Sequence, residues 1–345
     1  MKSANITGRV VRYETVDVAR GIAIVLVVIG HFNMDGMPSG LEAVKDFIYL
    51  FHMPLFMMMS GFLLAATWRD EPYGKFLSRK FKRLMVPYFV TSLILFGIKI
   101  AFARVMPLDH PVNVSDFVAI LYEPVAGGFL WFVWALWWMM VIIPAFRTPG
   151  LRLGLLVVAV GLHFVEEYMP LVFCIRQFFD NLVFFMSGVC ACDYMRKMCV
   201  TTFAPWIQWV TVIIFLLLAV DILWISPEAG SVWRPVRGLI CALTGSWATL
   251  VVARQIVLRS AKWCLGVVYS ISGASYFIYL FHTTFEAFAK GVIVKLHVVE
   301  SAGIWGYGAA EIVCVACGVA IPWWLATQVL NRSRLTAKLF GLKGK

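Results

Sequence analysis

Two ionisable side chains bracket one apolar stretch near the start of the sequence. Residues 17–32 read DVARGIAIVLVVIGHF, with Arg20 before and His31 after an almost purely hydrocarbon run. On a helix of 3.6 residues per turn, both side chains share one face and lie about 16 Å apart along the axis. Asp17 lies one turn before Arg20 and could pair with it. An arginine here could also reach the lipid headgroups, whereas an intramembrane histidine indicates function.

Two further histidines occupy comparable positions. His52 lies in FHMPLF and His282 in SYFIYLFH, each near the predicted outer end of an apolar segment. Three histidines from three helices suit general acid–base catalysis, because the pKa of histidine is near neutrality. A transition-metal site is the other option, but no Asp or Glu in those segments accompanies the histidines and no H-E-x-x-H motif occurs. We therefore expect no metal. Pro54, which lacks an N–H, predicts a kink beside His52.

The composition requires a lipid environment. Of 345 residues, 61% are hydrophobic and only 14% are charged, and the mean hydropathy is +0.83. A soluble domain usually has about 25% charged residues, so a water-soluble fold is excluded. The net charge of +11 would suit a nucleic-acid partner, but the cytoplasmic excess of Lys and Arg in membrane proteins explains it better. We expect no nucleic-acid partner.

The chain divides into ten apolar segments. Basic and acidic connections alternate between them, and this predicts an all-α integral membrane protein with about ten transmembrane helices and cytoplasmic N- and C-termini. The first segment lacks a cleavage site and is interpreted as a retained helix. The segments are 18–32, 47–66, 85–103, 128–146, 153–165, 178–192, 206–225, 236–253, 263–285 and 303–330. Of these, 153–165 and 178–192 have the least certain limits.

One transmembrane domain, 1–345, is predicted, with an N-terminal tail of about 1–17 and a basic C-terminal tail of about 331–345. LFHMPLFMMMSGF (50–62) and NLVFFMSGV (181–189) share a short pattern, which is too little to define a repeat. Ser60-Gly61 in the first of these stretches predicts close helix packing.

A basic cluster precedes the third apolar segment. FLSRKFKRLMVPY (76–88) is interpreted as a connecting loop that contains Arg79, Lys80, Lys82 and Arg83. Such a cluster can set topology and bind lipid headgroups. It can also hold the phosphates of a cytosolic donor. Both interpretations stay open.

Several of these stretches together resemble the acyltransferase-3 family of membrane proteins, which acylates sugars and cell-envelope glycans. They are DVARGIAIVLVVIGH, FHMPLFMMMSGFL, SRKFKRLMVPY, FLWFVWAL and SYFIYLFH, in that order. The spacing of Arg20 and His31 matches the Arg-x10-His signature of the family. The family often has R-x-x-R before L-x-x-P-Y, whereas Lys80 and Arg83 occupy those places here. A lysine keeps the charge but does not bind phosphate bidentately.

The resemblance implies a membrane-bound O-acyltransferase that transfers an acyl group, acetyl or longer with acetyl expected, from cytosolic acyl-CoA to a hydroxyl of a cell-envelope sugar, glycolipid or polysaccharide. It implies location in the plasma membrane, the inner membrane of a bacterium. Acetyl-CoA is a co-substrate, and no cofactor is bound permanently. The residues implied are His31, Arg20 and His52 as catalytic, Arg79, Lys80 and Arg83 as acyl-CoA-binding, and Asp17, His282 and Trp131 as supporting.

Two other functions fit the same composition. A transporter or flippase for a glycan or small molecule could use the histidines for proton coupling. A scaffold for envelope assembly needs no chemistry at all. The expected partners are the acyl-CoA donor, the glycan or glycolipid acceptor and membrane lipids, and an oligomer is compatible with the sequence.

Overall fold

The computed structural model describes residues 13–102, 112–195, 205–227 and 233–342. These residues form helices joined by turns, and no β-strand occurs among them. The α-helices, numbered in chain order, are α1 Glu14–His31, α2 Ser39–Tyr49, α3 His52–Ala66, α4 Tyr73–Phe102, α5 Trp131–Ile142, α6 Pro149–Phe164, α7 Ile175–Met195, α8 Pro205–Val220, α9 Trp233–Arg259, α10 Lys262–Lys295, α11 Val298–Trp324 and α12 Arg334–Leu339.

Within the described residues, eight helical stretches are long and apolar enough to cross a membrane. The chain is therefore an all-α integral membrane protein, as predicted. The eight are Ser39–Ala66, Tyr73–Phe102, Gly128–Ala145, Val172–Tyr194, Trp206–Ile225, Trp233–Arg259, Lys262–Lys295 and Trp305–Arg332. The other two of the ten predicted segments are also helical. They are α1, which has charged residues in its first turns, and α6, which has only 16 residues.

Helix α1 lies at the centre of the bundle. It packs against α3, α9, α10 and α11, and it buries Ala19, Ala23, Ile24 and Val27 completely. Small and β-branched side chains let neighbouring helices approach closely in a membrane. Both Arg20 and His31 are thus carried by a helix that other helices surround, rather than by one that faces lipid alone.

The two segments with uncertain limits form a regular pair, α6 and α7, which pack along each other. Near one end, Nη1 of the buried Arg152 donates to both carboxylate oxygens of Asp193 at 3.0 Å. Near the other end, Nδ1 of His163 lies 3.0 Å from Oδ1 of Asp180. Polar pairs therefore join α6 to α7 at both ends, and the apolar part of each helix between them is short.

Helices α3 and α7 approach each other through two glycines. A Cβ on Gly61 would overlap the carbonyl oxygen of Phe185, and a Cβ on Gly188 would overlap the carbonyl oxygen of Met58. The arrangement is reciprocal, since each glycine faces the residue three positions before the other. The short pattern shared by 50–62 and 181–189 thus marks one close helix crossing, and the close packing predicted for Ser60-Gly61 is confirmed.

The kink predicted beside Pro54 is a full break. Helix α2 ends at Tyr49 and α3 begins at His52, with Phe51 at φ −146° and ψ −15° between them. Pro54 cannot donate to the carbonyl of Leu50. The break places His52 on the first turn of a new helix, where its side chain can point into the bundle.

Two predicted boundaries differ from the structure. The basic residues of 76–88 lie on the first turns of α4, which begins at Tyr73, so the connecting loop is only 67–72. Helix α1 begins at Glu14, inside the predicted tail of 1–17, and residues 1–12 lie outside the described residues. In the predicted tail of 331–345, α12 packs against α4.

Candidate functional site

A cavity of about 1170 Å³ lies at the end of the bundle where α1 and α6 end and α9 begins. We name this end of the bundle the His31 end. It exceeds the roughly 300–1000 Å³ usual for pockets that bind small molecules. Most of its walls come from α1, α3, α5, α6, α7 and α9. Its polar or polar-tipped lining residues are His31, Tyr49, His52, Trp131, His163, Glu166, Glu167, Tyr168, Asp180, Asn181, Arg234 and Tyr279.

His31 is the last residue of α1, and its half-buried ring lines this cavity. Its Nδ1 lies 2.8 Å from the carbonyl oxygen of Val27. A carbonyl oxygen only accepts hydrogen bonds, so Nδ1 carries the hydrogen and donates it. In the neutral ring, Nε2 then keeps its lone pair. The atom of His31 that can take a proton is therefore Nε2.

His52 and His282 have the same arrangement. Nδ1 of His52 donates to the carbonyl of Ile48 at 2.9 Å, and Nδ1 of His282 donates to that of Tyr279 at 2.8 Å. Both rings are buried, and neither Nε2 atom has a hydrogen-bond partner among the described residues. Backbone carbonyls thus fix one tautomer in all three histidines.

The structure brings the three histidines to the His31 end. The rings of His31 and His282 meet edge to face, with centroids 4.8 Å apart. His52 lines the same cavity as His31, and the ring of Tyr49 lies 4.9 Å from His52 and 6.4 Å from His31. His282 lies behind the cavity wall, so it contacts His31 rather than the cavity.

Sequence reasoning missed Glu286. The ninth apolar segment was predicted to end at 285, and no acidic residue was expected beside the histidines. Helix α10 instead continues to Lys295, so Glu286 lies one turn beyond His282. Its side chain is 6% exposed, its Oε1 has no hydrogen-bond partner among the described residues, and its Cγ packs where Gly318 leaves room. The i,i+4 spacing in FHTTFE was the available signal.

Aromatic residues form the cavity wall next to His31. The ring of Phe129 lies 6.1 Å from His31 and 5.2 Å from His282, and the hydroxyl of Tyr279 donates to the carbonyl of Phe129. Trp131, predicted as a supporting residue, lines the cavity at the start of α5. These rings limit the positions that the histidine rings can adopt.

Arg20 does not line the cavity. Its Nε donates to Oγ of Ser272 on α10 at 3.0 Å, and its Nη2 lies 3.6 Å from Oδ1 of Asp17. The pair predicted between Asp17 and Arg20 is therefore present. From Arg20 to His31 is about 16 Å along α1 at 1.5 Å per residue. We name the end of the bundle at which Arg20 lies the Arg20 end.

The predicted acyl-CoA-binding residues lie at the Arg20 end and not at the cavity. Tyr276, one turn beyond Ser272 on α10, donates its hydroxyl to the carbonyl of Leu84 on α4 at 2.8 Å. That contact places the first turns of α4 at the same level of the bundle as Arg20. Arg83, one residue before Leu84, is exposed there.

The other two predicted donor ligands have partners already. Arg79 forms an ion pair with Glu71, and its guanidinium carbon lies 5.5 Å from the ring centroid of Phe76. Lys80 Nζ lies 5.3 Å from the same ring. The hydrogen bond from Arg79 holds the pKa of the Glu71 carboxyl below its usual value. A phosphate at Arg79 would therefore have to displace a carboxylate.

This arrangement suits proton transfer. Within the described ranges no group of three His, Cys, Asp or Glu side chains is arranged to hold a metal ion. His31 and His52 line the cavity, and each keeps a lone pair on Nε2 in the neutral ring, so both can accept a proton or a hydrogen bond from a hydroxylated molecule there. A base at one end and exposed cationic groups at the other define two separate sites joined by α1.

A helical membrane protein with a base-lined cavity at one end and a basic surface at the other fits an enzyme that joins two substrates. The chain belongs to the acyltransferase-3 family, because the acyltransferase domain of that family matches residues 13–327.

Two relatives are similar over part of the chain. Both are named nodulation protein NolL, one from Mesorhizobium japonicum, 28% identical over 137 residues, and one from Sinorhizobium fredii, 29% identical over 128 residues. The matches cover 38% and 35% of this chain and 35% and 33% of the relatives. The chain thus spans about a third of the length of the curated relatives that it matches. No solved structure gives a significant match.

Proposed function

We propose that the chain transfers an acetyl group from cytosolic acetyl-CoA to a hydroxyl of a cell-envelope sugar, glycolipid or polysaccharide. The observation that carries this proposal is His31: its ring lines a cavity large enough for a glycan, and a backbone hydrogen bond leaves Nε2 as the base. A sugar hydroxyl is a weak nucleophile at neutral pH, so transfer requires a base within hydrogen-bond reach.

In the proposed reaction, Nε2 of His31 takes the hydroxyl proton as the acceptor oxygen attacks the thioester carbonyl carbon. The new C–O bond forms and the C–S bond breaks. Coenzyme A leaves as a thiolate and takes the proton from the imidazolium of His31. His52 orients the acceptor or His31 from the same cavity, and His282 supports the ring of His31 from behind.

The donor is proposed to enter from the opposite end. Arg83 and Lys80 would hold the phosphates of coenzyme A, Arg79 would join them after leaving Glu71, and Arg20 with Asp17 would guide the thioester arm along α1. The arm has to reach His31 about 16 Å from Arg20. This route requires the Arg20 end to face the cytoplasm, with the protein in the bacterial inner membrane, an orientation that the positive-inside rule supports.

A transporter is the second candidate, favoured by the break between α2 and α3 beside His52. Discontinuous helices line the substrate sites of many transporters, and the unpartnered Nε2 atoms could carry protons. Membership of the acyltransferase family favours the enzyme.

The test is an assay of the purified protein with labelled acetyl-CoA, with and without the envelope glycans of the organism that encodes the chain. We expect release of coenzyme A and labelled glycan, both dependent on the acceptor. Release of one equivalent of coenzyme A without acceptor would indicate an acyl-histidine relay. Proton-coupled glycan uptake into proteoliposomes without acetyl transfer would establish the transporter instead.

A further inference from the structure

The cavity wall formed by α6 and α7 carries a polar cluster of three residues. Nδ1 of His163 lies 3.0 Å from both Oδ1 and the backbone carbonyl of Asp180. Nδ2 of Asn181 donates to Oδ2 of Asp180 at 2.9 Å and to the carbonyl of Gln177 at 3.0 Å. All three residues of the cluster line the cavity, whereas the acetyl-transfer step uses none of them.

The hydrogen bonds of this cluster already engage His163 Nδ1 and both hydrogens of the Asn181 amide. The partners of His163 Nδ1 are acceptors, so that nitrogen donates and Nε2 keeps a lone pair in the neutral ring. Both hydrogens of the Asn181 amide are committed, which leaves its Oδ1 as an acceptor. The Asp180 side chain is 41% exposed and has further carboxylate lone pairs. The exposed acceptor that this wall offers to a ligand is therefore the Asp180 carboxylate.

His52, on the neighbouring helix α3, also offers an acceptor. His52 is 1% exposed and lines the cavity, and its unpartnered Nε2 is an acceptor in the neutral ring. A ligand that reaches both Asp180 and His52 Nε2 must supply donors to them, as hydroxyl or ammonium groups do. A carboxylate or sulfate brings only acceptors and would meet lone pairs at both of these residues.

The charge of the lining agrees with this selection. The described lining residues include three carboxylates, those of Glu166, Glu167 and Asp180, against one guanidinium, that of Arg234. Glu166 is paired with Arg176 at 2.6 Å, while Glu167 is exposed at the mouth. The field at the mouth thus disfavours an anion and favours a neutral or cationic ligand.

We propose that the His163–Asp180–Asn181 cluster is the acceptor subsite and selects neutral or amino-sugar chains of more than one ring over acidic glycans. The cavity volume of about 1170 Å³ leaves room for several rings, and the lining residues Phe164 and Trp131 supply apolar faces on which sugar rings can pack. This inference rests on the proposed acetyl transfer to a glycan and adds the class of acceptor.

The first test uses the envelope of the encoding organism as the probe. Its glycans are released from lipid carriers by mild acid, separated by anion exchange into unretained and retained fractions, and incubated with the protein and labelled acetyl-CoA. We expect label in the unretained fraction, which holds neutral and amino sugars. Label mainly in the retained, acidic fraction would overturn the inference and leave the acetyl transfer intact. Label in neither fraction would overturn the acetyl transfer itself.

The second test is Asp180→Asn, which keeps the shape of the side chain and removes its charge. We expect KM for the labelled glycan fraction to rise about ten- to hundredfold, as for a lost hydrogen bond to a charged group, while KM for acetyl-CoA stays the same. Asp35→Asn, at an exposed carboxylate outside the cavity lining, is the matched control and should change neither value. A fall in kcat with both KM values unchanged would contradict binding of the acceptor at Asp180.

Glu167→Gln covers the case in which Asp180→Asn does not fold, because Glu167 is exposed and its replacement leaves the helix pair intact. We expect the ratio of acidic to neutral acceptor turnover to rise severalfold in this variant. An unchanged ratio in folded Glu167→Gln protein would remove the proposed charge selection at the mouth.

Discussion

At the scale of single residues, the reactive nitrogen of His31 is chosen by the backbone. Nδ1 donates to Val27, so proton transfer falls to Nε2. We expect His31→Ala to lower kcat for glycan acetylation by at least the 10²–10⁴-fold typical of a general base, with acetyl-CoA binding unchanged. Initial rates with labelled acetyl-CoA, together with donor binding by equilibrium dialysis, measure this.

His52→Ala is the internal comparison for that variant. His52 lines the same cavity with the same tautomer, so its loss should be partial and smaller than the loss at His31. Near-normal turnover in correctly inserted His31→Ala protein would show that His31 is not the general base. The transporter would then be favoured over the enzyme.

Glu286 is a carboxyl group buried one turn beyond His282, with one oxygen lacking a partner among the described residues. Such a group is costly to bury and indicates function in a membrane helix. We expect Glu286→Gln to lower kcat at least tenfold and to leave both KM values unchanged, because a carboxyl group one turn beyond His282, which contacts His31, can ionise as the imidazolium forms and stabilise it. Steady-state kinetics of the two substrates test this, and an unchanged kcat would assign Glu286 to packing alone.

The sequence anticipated the histidines but not what surrounds them. His31, His52 and His282 were predicted because a titratable group in an apolar helix is conspicuous, and topology assigns all three to one end. Glu286 was missed because the apolar run ends just before it, although the helix does not. The cluster at His163 and Asp180 was missed because no local spacing connects two residues on different helices.

At the scale of elements, the crossing of α3 and α7 depends on two glycines that face each other's backbone. Gly61→Ala or Gly188→Ala would drive a methyl group into a carbonyl oxygen, so the helices must separate. We expect each to destabilise the protein by about 1–3 kcal/mol, the usual range for overpacking. Thermal unfolding in detergent measures the change.

Gly97→Ala is the matched control for the glycine variants. A Cβ on Gly97, in α4, meets nothing within 4 Å, so the change should stabilise the helix by up to about 1 kcal/mol. If Gly61→Ala and Gly188→Ala did not unfold at a lower temperature than Gly97→Ala, the close crossing would not contribute to stability.

The first turns of α4 carry the predicted donor site. We expect Arg83→Ala to raise KM for acetyl-CoA by the equivalent of about 1.5–3 kcal/mol, the range for a hydrogen bond to a charged group, with KM for the acceptor unchanged. Lys82→Ala, one residue away and exposed, is the matched control. If Arg83→Ala raised KM for both substrates equally, the basic cluster would not be a donor site, and its role would be to set topology and bind lipid headgroups.

A substitution of Glu71 tests the donor site a second way, again through KM for acetyl-CoA. Its pKa lies below the usual value because Arg79 donates to it, so the carboxylate is ionised at neutral pH and the pair persists as the pH falls, until the pH reaches the lowered pKa. Glu71→Gln should therefore free Arg79 and lower KM for acetyl-CoA at pH 7. A higher KM in that variant would mean that Glu71 positions Arg79 for the donor.

The all-α membrane architecture was accessible from the sequence because long apolar runs recur along it, although about ten spans were predicted and eight helical stretches of the described residues are long and apolar enough to span. Helix ends were less accessible. Residues 76–88 were predicted to be a loop but belong to α4, because charged residues can extend a helix into the headgroup region, as Arg79 and Arg83 do there. The short segments 153–165 and 178–192 lengthen into α6 and α7 by including flanking residues and polar pairs at both ends.

At the scale of the whole molecule, the two ends of the bundle differ in charge. Around a pocket of about 310 Å³, Arg69 of the 67–72 loop meets Arg147, so two basic connections lie together. At the other end, Glu166 and Glu167 line the cavity that contains His31. Connections that the sequence assigned to one side of the membrane are therefore neighbours in the structure.

This asymmetry predicts which end faces the cytoplasm, since Lys and Arg accumulate there. In a cysteine-free background, Val114→Cys, 75% exposed in the 104–127 connection, should react with an impermeant maleimide in intact cells. Asp70→Cys, exposed in the 67–72 loop, should react only after permeabilisation. Acetyl-CoA would then reach α4 from the cytoplasm while the acceptor enters the His31 cavity from outside. Labelling of Asp70→Cys in intact cells would reverse the bundle, put the basic cluster out of reach of acetyl-CoA and remove the donor route along α1.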